Sequence, residues 1–231
     1  KNFRGAVRYM SFFTNEYHIE KSDGTLTKLP LQDSAQLQEF FDGRFLFTLR
    51  EAWEHNGVKY EQGSLLAIDA EQTVETGSIT NIEVLLKPDS RTSIEGVTAS
   101  KSGLFVTLLQ NVRSKVIEMM VDTNGAWKTK EVNLPNTGSI YIASANAYDP
   151  TIFFSYEDHI TPDTLYEFNP SERTLQPIKS LPARFDASNL VVEQFEVQSK
   201  DGERVPYFII RSKTTELTGQ TPTILYGYGG F

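Results

Sequence analysis

The sequence has 231 residues, 39% of them hydrophobic and 23% charged, with a formal net charge of −8 and no cysteine. That length allows one large domain, or one domain plus part of another. The acidic balance and the scatter of the 22 Lys and Arg residues exclude a nucleic-acid footprint, and the missing thiols exclude disulfides and thiolate metal sites. No apolar run approaches the ~20 residues of a membrane span, so no membrane partner is expected. The absence of cysteine does not fix the compartment; the cytoplasm is the expected one, with the periplasm left open. Lys1-Asn2-Phe3-Arg4-Gly5 is neither a signal peptide nor an initiator start, and a strand-like Thr223-Ile224-Leu225 running into Gly-rich Gly227-Tyr228-Gly229-Gly230 would leave an unpaired edge. Both ends therefore read as those of a fragment.

In chain order, a partial unit comes first: short strands over residues 7–13, 16–21 and 25–29, with Ser22-Asp23-Gly24 as a tight hairpin. A repeat then follows. The pairs Leu29-Pro30, Lys87-Pro88, Leu134-Pro135 and Leu181-Pro182 each close an apolar strand. About 47 residues separate the second from the third proline and the third from the fourth, and about 58 separate the first two. A period near 45 residues is that of a four-stranded propeller blade. The first full unit predicts strands over 36–41, 45–49, 64–69 and 82–86; the second over 93–100, 104–109, 116–122 and 130–134; the third over 139–145, 151–156, 164–169 and 176–181. The extra length of the first unit falls in a charged insertion, residues 51–63. A β-sandwich with coincidental spacing is the alternative for the same strands.

Beyond Pro182 the pattern changes. Residues 191–199 and 205–213 alternate around Lys200-Asp201-Gly202 as a hairpin, and Thr221-Pro222 starts a third strand. The three histidines, His18, His55 and His159, lack any metal-ligand spacing and read as solvated or satisfied. Glu51, Glu54, Lys59 and Glu61 read as a solvated loop. Met119 and Met120 share a strand, so alternation sends at least one to the core.

Two stretches carry a resemblance. Ser199-Lys200-Asp201-Gly202-Glu203-Arg204-Val205-Pro206-Tyr207-Phe208-Ile209 and Pro222-Thr223-Ile224-Leu225-Tyr226-Gly227-Tyr228-Gly229-Gly230-Phe231 resemble the opening of the hydrolase domain in the prolyl oligopeptidase family of serine peptidases. Phe154-Ser155-Tyr156 followed by Thr161-Pro162-Asp163-Thr164-Leu165-Tyr166 is similar to that family's last propeller blade.

The resemblance implies a mainly β fold: a partial β-propeller of about three to four four-stranded antiparallel blades over residues 1–188, then the first strands of an α/β-hydrolase domain over 189–231. It implies a parent enzyme that hydrolyses short peptides after proline, with the propeller filtering access and the remainder of the parent chain as partner. No cofactor is implied. Tyr228 would be an oxyanion donor, since a neutral phenol can donate to a developing negative charge. Gly229 and Gly230 would let the backbone approach the substrate, and Phe231 would offer an apolar wall to a proline ring. No Gly-x-Ser-x-Gly occurs in the sequence, so the nucleophile and triad are expected elsewhere and the chain alone should be inactive. A non-catalytic propeller that binds proteins is the rival reading.

Overall fold

The computed structural model describes residues 3–228. The chain opens with β1 (Gly5–Tyr9), β2 (Asn15–Glu20) and β3 (Leu26–Lys28), which form a three-stranded antiparallel sheet in that order. The second sheet contains β4 (Ala35–Phe41) and β5 (Arg44–Leu49). A small hairpin, β6 (Trp53–His55) and β7 (Val58–Tyr60), is inserted before β8 (Leu65–Asp69). Helix α1 (Ala70–Thr76) then leads to β9 (Glu83–Leu86), giving the order β4-β5-β8-β9.

The next eight strands make two plain four-stranded meanders. One is β10 (Thr92–Ala99), β11 (Leu104–Gln110), β12 (Arg113–Val121) and β13 (Trp127–Val132). The other is β14 (Ser139–Asn146), β15 (Asp149–Glu157), β16 (Thr164–Asn169) and β17 (Thr174–Ser180). A hairpin of β18 (Leu190–Gln198) and β19 (Arg204–Ser212) follows. The strands of the three repeat units fall where the prolines and turn residues put them, and the partial unit is the first sheet. The third strand expected from Thr221 is not formed: residues 221–228 are irregular, with Ile224 and Leu225 almost fully exposed. A strand exists only as one side of a ladder, and no partner strand lies beside this segment among the described residues.

The sheets stack as blades because their strands are apolar on both faces. Leu46 points one way and Phe45 and Phe47 the other. Tyr17, Ile19 and Leu29 of the first sheet pack on Phe45, Phe47 and Ile68 of the second. Leu46 and Leu65 pack on Leu104, Val106 and Met119 of the third. Phe105 and Val116 pack on Ile152, Phe154 and Phe168 of the fourth. Each core is thus an interface between two blades. Met119 is buried in one of them, as alternation requires, while Met120 is only partly buried. The innermost strands β4, β10 and β14 pack beside one another and line the axis. Each carries a bulge that leaves Gln38, Glu95 or Ala143 without a cross-strand partner, bending the strand where the blades crowd together.

Glu118 of β12 is buried to 1% exposure. Arg173, in the β16–β17 turn of the next blade, donates to it at 2.8 Å and to the Glu131 carbonyl at 2.7 Å, while its guanidinium lies 5.6 Å from the Phe168 ring. Arg173 has φ of 55°, a conformation that non-glycine residues adopt only under constraint. The inter-blade ion pair supplies that constraint.

Candidate functional site

In a meander blade all connections from the second to the third strand emerge on one face. Here they are the segment containing β6 and β7, the Asn111-Val112 turn and residues 158–163, and the β1–β2 tip of the three-stranded sheet lies on the same side, its Phe13 ring beside Arg50. Two of them touch the β18–β19 hairpin, so this face bears it. Glu196 of β18 accepts from Arg91 and, at 2.9 Å, from Asn111 Nδ2. Gln194 accepts from Arg113 and donates to the Asn111 carbonyl at 2.7 Å. His159 lies against Phe208, ring centroids 5.4 Å apart. A crevice of about 380 Å³ runs between blade and hairpin, lined by Arg91, Asn111, Val112, Glu203 and Arg204 among others. The hydrogen bond from Arg91, then that from Asn111 and the nearby Arg204, hold the Glu196 carboxyl below its ordinary value.

The two tips differ in how they are made. At Asn111 and Val112 both φ angles are positive, 49° and 57°, the signature of a tight two-residue hairpin turn. Valine is a poor resident there, because its branched Cβ meets the backbone in the left-handed region. Residues 158–163 are instead tied by Asp158, which accepts from the backbone amides of Ile160 at 2.9 Å and Thr161 at 2.6 Å and from Tyr156 at 2.5 Å. Burial pushes the Asp158 carboxyl up, but these bonds and one from Thr137 outweigh it and leave the carboxyl below its usual range. Burial, and then the Asp158 carboxylate, push the Tyr156 phenol up to about 12.

The other histidines have ordinary partners. His18 sits 3.5 Å from Glu16, and His55 is within 3.5 Å of the Ile79 carbonyl and stacks on Trp53. The insertion is more ordered than a solvated loop. Asn56-Gly57 turns it into the β6–β7 hairpin, and Trp53 packs edge-on against Phe47 at 6.0 Å. Glu54 and Lys59 are exposed, with Lys59 3.8 Å from Glu61.

Tyr228 is 84% exposed at the end of the described chain, and its hydroxyl makes no hydrogen bond among the described residues. Gly229, Gly230 and Phe231 lie outside the described residues. Of the four residues singled out in the sequence, the described structure therefore includes Tyr228 alone. The polar residues gathered under the hairpin, Arg91, Asn111, Arg113, Gln194 and Glu196, were not singled out in the sequence. Their partners are some 80 to 105 positions apart, and no local pattern marks them.

Residues 54–181 match the family model described as the prolyl oligopeptidase N-terminal β-propeller domain. The chain belongs to the prolyl oligopeptidase family. Among curated relatives in this family's neighbourhood, the "uncharacterized peptidase y4nA" of Sinorhizobium fredii is 31% identical over 98% of this chain and 32% of its own length. A prolyl endopeptidase of Elizabethkingia meningoseptica is 28% identical over 55% of this chain and 18% of its own. The structure of a post-proline cleaving enzyme from Rickettsia typhi superposes with a TM-score of 0.78 at 24% identity, covering 93% of this chain and 31% of that one, a likeness of fold. The chain spans about a third of the length of the Sinorhizobium fredii and Rickettsia typhi proteins, which match it almost end to end.

Proposed function

We propose that this chain is the propeller arc and hydrolase opening of a serine peptidase that cuts short peptides after proline. Residues 1–188 would form the propeller part, limiting which peptides reach the site. Residues 189–231 would be the first strands of an α/β-hydrolase domain whose nucleophile and triad lie elsewhere in the protein. The observation that carries this reading is an order in the sequence: a family propeller, then the Lys200-Asp201-Gly202 hairpin, then Tyr226-Gly227-Tyr228-Gly229-Gly230-Phe231. The hairpin's position on one face of the blades supports it, because a second domain beginning there would cover that face.

In this reading Tyr228 donates one hydrogen bond to the oxyanion, and the second donor is a backbone N–H beside the nucleophile. Gly229 and Gly230 give the substrate room, and Phe231 walls the proline pocket. The test is hydrolysis of a proline chromogenic peptide and its alanine counterpart by the full-length protein, with labelling by a fluorophosphonate. Cleavage of the proline peptide, lost on labelling, is expected. Tight binding of proteins to the propeller with neither cleavage nor labelling would replace the peptidase reading with that of a binding module.

A further inference from the structure

Arg8, Arg44, Arg91, Arg173, Arg204 and Arg211 each meet a carboxylate. Arg50, at the end of β5 on the hairpin-bearing face, meets none among the described residues. It is held all the same. With the Gln36 amide oriented to satisfy its neighbours, its carbonyl oxygen accepts from Nη2 at 2.6 Å and from Nε at 2.8 Å. On another side the guanidinium lies 5.3 Å from the Phe13 ring, at the β1–β2 tip. Gln36 uses two of the five N–H donors, and the edge shared by Nη1 and Nη2 remains. A neutral amide and an aromatic face fix the direction of the cation without cancelling its charge.

That cation borders a cavity of about 580 Å³ whose wall includes Thr48, Gln62, Ser90 and Ser93. Ser90 and Ser93 also line the crevice under the hairpin, so the two spaces adjoin. Asp89 lies in the same wall, with its carboxylate turned back onto the Arg91 amide at 3.0 Å. The planar fork of Arg50 matches a carboxylate or a phosphate, and the negative charge of Asp89 would repel a dianion more than a monoanion, which favours the carboxylate. The β1–β2 tip adds Phe12, almost fully exposed and edge-on to Phe13 at 4.8 Å, an apolar surface beside the charge.

We infer that Arg50, oriented by Gln36 and Phe13, is a binding site for a peptide carboxylate on the propeller face. The inference rests on the peptidase reading for the identity of its ligand, a peptide. The carboxylate is either the peptide's C-terminus or an acidic side chain near it. In the proposed enzyme this contact would select peptides by where their negative charge lies, separately from the proline pocket.

The test is equilibrium binding of three labelled proline peptides to the full-length protein: a free acid, its C-terminal amide, and an amide with Glu near the C-terminus. The free acid should bind about tenfold more tightly than the plain amide, the worth of one charge-assisted pair at a partly solvated site. Arg50→Gln should bring that ratio close to one, and Arg50→Lys, which keeps the charge but loses the fork, should keep part of it. If the Glu-containing amide binds as well as the free acid, the site reads side-chain carboxylates as well as the terminus. Equal binding of all three by the unmodified protein, or a ratio unchanged in Arg50→Gln that still melts as the parent does, overturns the site. Hydrolysis of the same peptides, followed in parallel, keeps the two readings apart. Carboxylate preference without cleavage would remove the peptidase and leave Arg50, whereas cleavage without preference would do the reverse.

Discussion

Phe105, Phe154 and Phe168 meet in a dry cluster between two blades, ring centroids 6.1 to 6.3 Å apart. The β18–β19 hairpin meets its neighbouring blade through Arg91, Asn111, Arg113, Gln194 and Glu196, and none of the hairpin's own residues is buried. The blades are joined by removing apolar surface from water, which is indifferent to direction and hardly sensitive to salt. Apart from the His159–Phe208 ring contact, the hairpin is joined by a few directed polar bonds that water and ions can replace. One chain therefore holds a rigid body and an appendage whose attachment depends on solution conditions. If a hydrolase domain continues from the hairpin, the joint between the two domains begins at its softest contact.

The comparison is broken most directly from the apolar side. Phe105→Ala removes a fully buried ring from the interface between the third and fourth blades, and should cost about 3–5 kcal/mol in urea-induced unfolding. A loss below about 1 kcal/mol would mean that the blades are not held by these cores. Arg173→Ala comes next. It leaves the Glu118 carboxylate buried without its cation, which for a wholly buried pair costs about 3–5 kcal/mol. Arg173 keeps contact with water on one side, so about 2 kcal/mol is the expected figure. Glu118→Gln in the same background should recover part of the loss, by removing the stranded charge.

On the hairpin side the effects should be local. Glu196→Gln should leave blade unfolding unchanged while raising the rate of tryptic cleavage at Lys200 and Arg204 several-fold; 1 M NaCl should do the same to the parent chain and add little to the variant. Acid should act alike, with a definite sign. The folded carboxyl of Glu196 lies below its ordinary value of 4.5, so its contribution to docking is complete above that value and is lost as pH falls through the lower folded one. Cleavage that rises instead between pH 6 and 8 would point to another group. The smallest effect is expected at Val112, where Val112→Gly creates an Asn-Gly turn suited to two positive φ angles. A gain of about 0.5–1 kcal/mol is expected, from relief of left-handed strain less the entropy cost of glycine.

The same contrast explains what could be read in advance. The blades were legible because an apolar strand, a Gly-containing turn and a closing proline recur along the chain, so that Pro88, Pro135 and Pro182 mark the ends of outer strands. The β6–β7 hairpin carried its own signal in Asn56-Gly57, hidden by the charges around it. Helix α1 was not among the expected elements, although its caps stood in the sequence. Asp69 accepts from the Gln72 amide at 2.7 Å and Gly77 closes the helix with φ of 68°, a capping pair visible in the sequence. The pairs Arg173–Glu118, across two blades, Arg91–Glu196, between blade and hairpin, and Arg50–Gln36, on neighbouring strands of one blade, carry no such mark, because only the folded geometry brings them together. Tyr228 is the reverse case, recognisable by motif, with a proposed role that would depend on a nucleophile and triad not found in this sequence.

The most direct test of the account is therefore at Tyr228, in the full-length protein, by steady-state kinetics on a proline peptide. A phenol that meets charge only in the transition state should, when replaced in Tyr228→Phe, lower kcat about 10²–10³-fold, equivalent to about 2.7–4 kcal/mol, with KM little changed. Phe231→Ala should act mainly through KM, because a pocket wall is used before and during reaction. A kcat within about twofold of the parent enzyme in Tyr228→Phe, or roughly 0.4 kcal/mol, would contradict the assignment and leave the tyrosine a structural residue.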